Sequence, residues 1–369
     1  MRIGYLMGAM GRGGAQLQLL HLTAGLVSRG HEVEVLAYVR ESELDDLLRS
    51  TGADLTVDVK ATRLGKWRRA RRWLALGRFD VVHAVMVQAS SLALLARWPA
   101  RRPPVVATDF STATFDGGRL SARLLLATYA LADAIVTETE VNHRHLGQLV
   151  PASRAKTHVI RNGIDAERFA PASVPPAAGR PFTFCVVASV YGMKNPGGVI
   201  DAIAELRERG HIAFHVDWYG RMGMPGSEQE GRDAVAHALA RGVAGSITFH
   251  GDTVDVERAY RSSDALLLAS FREGFPNAVS EGMACGLPIV VSDVSDLPQV
   301  VAEASNGYLL DPTDPSSIAD AMERMMQTPV EERAAMGRRS REVALRWFSM
   351  DRFVDRHEAL YREVIDRAI

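Results

Sequence analysis

Two glutamates, Glu273 and Glu281, stand with seven residues between them in the segment FREGFPNAVSEGMACG, residues 271–286. The segment follows the apolar run DALLLAS and precedes LPIVVSD, so its flanks read as buried strands. Glu273 then falls in the loop after a strand, and Glu281 inside a helix predicted over residues 276–285. Two carboxylates so placed can do different jobs. One would approach a ligand at the helix N-terminus, and the other would accept hydrogen bonds from hydroxyls such as a ribose diol. The backbone N–H groups of Gly274, Phe275 and Asn277 open the helix and form an anion site there. The ordinary alternative is a dipole-compensating Glu273 and a solvated Glu281. Spacing alone leaves both open.

A second candidate is the glycine loop Gly11-Arg12-Gly13-Gly14, between the first strand and the first helix. Its glycines let backbone approach a phosphate or sugar closely. A dinucleotide fingerprint would need glycine where Gln16 stands. The second strand also ends in Tyr38-Val39-Arg40, without the carboxylate that holds an adenosine ribose. A nicotinamide-dependent dehydrogenase is therefore poorly supported.

The elements that must position these groups follow from hydrophobic periodicity. Strand-like runs at residues 2–7, 32–39, 80–87, 104–108, 134–137 and 157–160 alternate with helical patterns. In the first helix, residues 16–28, Leu17, Leu20, Ala24 and Leu26 trace one face. The linker PASVPPAAGRP, residues 171–181, interrupts the alternation with four prolines. Strands then resume at 182–189, 213–218, 246–250, 265–269, 288–292 and 307–310, and Asn195-Pro196 reads as a helix cap and first-turn proline. Alternation of this kind implies parallel sheets covered on both faces. The expected fold is α/β: two Rossmann-like doubly wound domains, residues 1–170 and 182–349, facing across a cleft. A C-terminal helix, residues 350–369, returns to the first domain. Ligands in such sheets bind beyond the carboxyl ends of the strands.

Composition narrows the class. Of 369 residues 47% are hydrophobic and 24% charged, which excludes disordered and fibrous chains. No apolar run reaches membrane-spanning length, and the glycine-broken start does not read as a secretory signal. Cys185 and Cys285 read as buried thiols of a reducing cytoplasm. The net charge of −1 hides an asymmetry: 23 Lys and Arg face 16 Asp and Glu over residues 1–178, against 20 and 28 over residues 179–369. The basic half points to anionic partners. Lys66, Trp67, Arg68, Arg69, Arg71, Arg72 and Trp73 crowd one predicted helix, which could dock on anionic lipid headgroups or be a solvated basic face. No nucleic-acid motif accompanies the charge. No Asp-x-Asp occurs, and the histidines lack metal-ligand spacing, so neither metal nor other cofactor is expected.

The Glu-x7-Glu segment followed by MACGLP resembles the signature of the retaining glycosyltransferases of family 4, which have the GT-B fold. The resemblance continues through GRGGAQLQLLHLTAGLVSRGHEV, FDVVHAV, HVIRNGIDAERFAP, VASVYGMKNP and SNGYLLDPTDPSSIADAM, nearly the whole chain. It implies transfer of a sugar from a nucleotide diphosphate donor to an acceptor hydroxyl, in envelope, exopolysaccharide, glycolipid or natural-product glycoside synthesis. By resemblance Glu273 faces the donor sugar, Glu281 binds the ribose hydroxyls, Gly274, Phe275 and Pro276 line the sugar, and Lys194 neutralises the diphosphate. Gly13, Gly14, Ser189 and Asn277 complete the donor side. Ser189 stands where many members carry a phosphate-binding arginine, a role Arg221 or Arg12 could take. Phe110 replaces a histidine after the fifth strand, which leaves Asp109, His83 and Arg12 as acceptor-side candidates. The alternatives are a GT-B epimerase or phosphorylase, or a catalytically silent nucleotide-sugar-binding protein.

Overall fold

The computed structural model describes residues 1–8, 14–38, 42–58, 62–100, 102–109, 120–173, 179–224, 227–253 and 255–368. The chain divides into two compact units, Met1–Gly163 with Met350–Ile369, and Ile164–Ser349.

The first unit carries seven strands: β1 (Arg2–Met7), β2 (Glu32–Ala37), β3 (Asp54–Val57), β4 (Val81–Val85), β5 (Val105–Asp109), β6 (Ala134–Thr137) and β7 (Thr157–Val159). All pairings are parallel, in the order β3-β2-β1-β4-β5-β6-β7. β3 is absent from the periodicity reading. It is a four-residue edge strand with no wholly buried residue, so it lacks the apolar run that marks its neighbours.

The second unit carries β8 (Phe182–Val187), β9 (Phe214–Tyr219), β10 (Ile247–Gly251), β11 (Ala265–Leu268), β12 (Ile289–Ser292) and β13 (Gly307–Leu310). Its order is β10-β9-β8-β11-β12-β13, again all parallel. Each sheet reverses its winding once, between β1 and β4 in the first unit and between β8 and β11 in the second. Those reversals leave a crevice at the carboxyl ends of the strands, the usual place for a ligand in a doubly wound sheet. The two units are Rossmann-like, and their architecture is that of the GT-B fold.

Three details differ from the periodicity reading. The chain leaves the first unit at Gly163, before residue 170, because Ile164 and Phe169 are buried in the second unit's core with Tyr260, Ala284 and Phe348. Arg341 fastens the same stretch by donating to the carbonyls of Ala166 and Phe169. The Pro-rich stretch therefore lies within the second unit's span, and its residues 174–178 fall outside the described residues. The first helix, Gly14–Ser28, buries Gln18, Leu19, Leu22, Thr23 and Leu26; of the expected face Leu26 is buried and Leu20 packs partly buried on the same core, while Leu17 and Ala24 are half-buried. Its buried face is set by two partners, the sheet and the C-terminal helix. That helix, Met350–Ala368, sends Phe353, Val354, Leu360, Tyr361 and Val364 into the first unit's core.

Candidate active site

In the second unit β8 and β11 are neighbours at the winding reversal, so the loops that follow them share one end of the sheet. The loop after β8 runs through a short turn, Gly192–Lys194, into the helix Pro196–Glu208. Asn195 closes that turn in the left-handed region, at φ 58° and ψ 49°. Asparagine tolerates this conformation because its short polar side chain bonds locally. Here Oδ1 accepts from the Gly198 N–H at 3.0 Å, and Nδ2 donates to the Pro312 carbonyl at 2.8 Å. The turn before the helix is thus pinned from two sides, which aims Lys194.

The loop after β11 carries Glu273. Lys194 Nζ lies 2.5 Å from Glu273 Oε1, and the two side chains are only 18% and 10% exposed. A backbone bond from Phe271 N–H to the Met193 carbonyl, 2.9 Å, ties the loops together beside the ion pair. Ser295 donates its hydroxyl to the Gly274 carbonyl and so holds the next residue. Phe275 turns its ring into the core, with its centroid 4.8 Å from that of Phe348, which leaves its backbone as the part that can meet a ligand. Pro276 occupies the N-cap position of the helix Asn277–Ala284, and its own side chain makes no cap hydrogen bond. A helix start carries the partial positive charge of its first N–H groups.

Glu281 lies inside this helix and is half-buried. Tyr260 donates its hydroxyl to Glu281 Oε2 at 2.9 Å. Burial raises the Glu281 pKa above the ordinary carboxylate range, while the Tyr260 hydrogen bond and the Arg168 charge pull it down. Arg168 is itself held by Glu257 at 3.0 Å. Burial raises the phenol of Tyr260 as well, followed by the charge of Glu281, so the proton stays on the hydroxyl and keeps it a donor. One glutamate is thus paired with a lysine, and the other is half-buried and bonded to a tyrosine.

Ser189, partly buried, sits between β8 and the turn, where its carbonyl accepts from Tyr191 N–H at 3.1 Å. Glu230 accepts from the Gly192 N–H. Tyr260, Ser295 and Glu230 were missed from the sequence, because no motif or spacing links them to the loops they brace.

In the first unit the candidates separate. His83 is buried, with Nδ1 2.6 Å from the Tyr361 hydroxyl and Nε2 hydrogen-bonded to Thr108 Oγ1. Tyr361 in turn meets the Tyr5 hydroxyl at 2.8 Å. Both ring nitrogens are committed inside the unit, so His83 is a core residue and its acceptor-side reading is corrected. Burial, with the charge of His357 as a smaller cause, holds its pKa well below the ordinary imidazole value. Asp109 ends β5 and is wholly buried. Burial, then the Asp109 charge, raises the phenol of Tyr129 beside it. Arg12 and Gly13, with Gly11 and Phe110, lie outside the described residues, whereas Gly14 opens the first helix. The turn after β4 holds Met86 at φ 74° and ψ 153°, a region that glycine occupies at far lower cost.

The basic helix is Arg63–Leu76. Arg63, Arg68, Arg69, Arg71 and Arg72 are exposed. Trp73 is buried and donates Nε1 to Glu34 at 2.5 Å, so it is a core residue and not a membrane-facing one. Arg71 lies over the Trp67 ring at 5.5 Å. Among the described residues no helix is long and apolar enough to cross a membrane, and no group of three or more His, Cys, Asp or Glu could hold a metal ion.

Two family models match. "Glycosyltransferase Family 4" covers residues 12–168 and "Glycosyl transferases group 1" covers residues 172–343. A D-inositol 3-phosphate glycosyltransferase of Frankia alni is 27% identical over 402 residues, 96% of each chain. Among solved structures, Anabaena HepE in complex with UDP superposes with a TM-score of 0.86 at 17% identity, over 98% of this chain and 100% of that one. HepE is also solved in complex with UDP-glucose, with a TM-score of 0.85 at 17% identity and full coverage of both chains. A glycosyltransferase from Rickettsia africae gives 0.84 at 15% identity, over 99% of this chain and 98% of that one.

Proposed function

Because the chain belongs to the family-4 glycosyltransferases, we propose that its second unit grips a nucleotide diphosphate sugar between Lys194 and the start of the helix Asn277–Ala284. The observation that carries this reading is the Lys194–Glu273 pair, which joins the two loops at the winding reversal. A glycosidic bond to a diphosphate breaks with negative charge growing on the departing oxygen. A fixed cation and a helix start aimed at that oxygen stabilise the transition state more than the bound donor. Glu273 holds Lys194 in place and faces the donor sugar. Glu281, bonded to Tyr260, accepts the ribose hydroxyls. Gly274 and Pro276 offer backbone to the sugar.

Retention at the anomeric carbon follows by resemblance to the family. We assign it to front-side attack of the acceptor hydroxyl through an ion-pair-like transition state; a trapped glycosyl–enzyme adduct would overturn that assignment. The curated relatives are named for transfer to D-inositol 3-phosphate, a phosphate-bearing polyol. With the basic character of residues 1–178, this favours an anionic acceptor against the first unit. The relatives favour transfer over epimerisation or phosphorolysis. The exposed arginines of the helix Arg63–Leu76 support peripheral docking on an anionic membrane.

A thermal-shift panel of UDP-, GDP-, ADP- and TDP-sugars tests the reading, since a ligand that binds only the folded chain raises its melting temperature. One class should stabilise the protein and be hydrolysed slowly without acceptor. Stabilisation by none of them overturns the proposal.

A further inference from the structure

A cavity of about 350 Å³ opens in the first unit, at the end of the sheet that the crevice does not use. Asp133, immediately before β6, and Lys156, immediately before β7, both line it. It therefore lies at the amino ends of the strands, whereas the crevice lies at their carboxyl ends. The five residues of β5 put roughly 15 Å of strand between the two. Its volume is that of a small-molecule site.

The polar walls of this cavity are fixed. Arg97, at the end of the helix Val87–Arg97, donates to Asp133 and, at 2.6 Å, to the Leu131 carbonyl. Asp133 Oδ2 also accepts from Val105 N–H at 2.7 Å, so Oδ1 is the oxygen left to meet a ligand. Lys156 Nζ donates to the Ala130 and Ala132 carbonyls, each at 2.8 Å, and an ammonium has a third N–H to give. The cavity thus offers a held acceptor beside held donors. At its rim stands Trp98, 63% exposed. Its N–H donates to the Leu94 carbonyl at 3.2 Å, and its own carbonyl accepts from Arg71 at 3.0 Å. The backbone there is anchored while the indole is left open to water. So large an apolar surface is ordinarily covered.

We propose that this cavity is a second carbohydrate-binding site, which seats one sugar ring against Trp98 and away from the catalytic crevice. A sugar ring has two kinds of surface. Its C–H face packs on an indole, and its hydroxyls both donate and accept. Asp133 Oδ1 accepts from one hydroxyl, and the Lys156 ammonium donates to a neighbouring one. An acyl chain would strand both polar groups without water. A phosphate would find one of the two cations already neutralised by Asp133. The site belongs wholly to the first unit, so it does not depend on how the second grips a donor.

Saturation-transfer NMR of the full chain with the methyl glycosides of glucose, galactose, mannose and N-acetylglucosamine tests the site. At least one glycoside should receive saturation, most strongly at its ring C–H protons. Trp98→Ala should weaken its binding about threefold or more, the scale of one aromatic contact, and Trp98→Phe should keep most of it. Lys156→Gln should weaken it about tenfold, the scale of one charge-assisted hydrogen bond. Because the indole is exposed, thermal unfolding of Trp98→Ala should match the parent chain. The signal should persist in Glu273→Gln, whose change lies in the other unit. Saturation of none of the four glycosides overturns the proposal, as does equal affinity in Trp98→Ala. A signal abolished by Glu273→Gln moves the sugar to the catalytic site and overturns it too. Loss of anionic-vesicle binding in Trp98→Ala, with no glycoside signal, makes the rim a lipid contact and has the same consequence.

Discussion

Gln18 clasps the backbone of Gly163 on both sides. Its Nε2 donates to the Gly163 carbonyl and its Oε1 accepts from the Gly163 N–H, each at 2.9 Å. Gln18 is buried in the first helix, and Gly163 is the last residue of the first unit before the chain crosses over. A Cβ at Gly163 would lie 2.9 Å from both Met350 Sδ and Phe353 Cδ1, so the crossing point is packed tightly against the returning helix. Truncating Gln18 to alanine strands a buried N–H and a buried carbonyl. The expected cost is roughly 2–3 kcal/mol, read from urea unfolding. An unchanged midpoint would mean that water replaces the side chain there.

Glu273→Gln keeps shape and removes charge, so Lys194 loses its ionic partner. Turnover should fall roughly 100–1000-fold, the scale of one preorganised electrostatic group, while nucleotide affinity is largely retained. Steady-state rates beside a binding isotherm separate the two. The same assays with EDTA should show no loss, because the leaving diphosphate is assigned to side chains and a helix start.

Glu281 accepts hydroxyls most strongly as a carboxylate, and burial raises its pKa while Tyr260 lowers it. Nucleotide affinity should therefore fall as pH descends through that raised value. Tyr260→Phe removes a lowering influence, so its fall should begin at a higher pH than in the parent chain. Superimposable affinity–pH curves would remove Glu281 from the ribose contact.

His357 is buried in the C-terminal helix and held near a pKa of about 4, against an ordinary 6.5, chiefly by burial. Its Nδ1 lies 2.9 Å from the Phe353 carbonyl and donates to it. A depressed folded-state pKa means the unfolded chain takes up the proton first. The stability contributed is complete above about pH 6.5 and is lost as pH falls toward 4. The full loss is roughly 3 kcal/mol. Urea unfolding across that window should be flatter for His357→Gln.

Docking on lipid should depend on the exposed arginines and not on Trp73, which the core already holds. Reversing charge at Arg68 and Arg72 should weaken co-sedimentation with vesicles of anionic phospholipid, at about 1 kcal/mol per charge removed. Neutral vesicles should show no difference.

The sequence by itself determined what local pattern can carry. Strand–helix alternation specifies doubly wound sheets, and loop and helix positions for Glu273 and Glu281 follow from their flanking apolar runs. Even β3 escaped, since an edge strand pairs on one side and needs no continuous apolar run. Only tertiary structure decided which polar groups meet. Lys194 and Glu273 are 79 residues apart and touch because β8 and β11 are neighbours at the winding reversal. Tyr260 reaches Glu281, Gln18 holds Gly163, and His83 is absorbed by Tyr361 and Thr108 for the same reason. The burial and bonding of a polar side chain depend on what the fold lays across it, and periodicity along the chain carries no record of that.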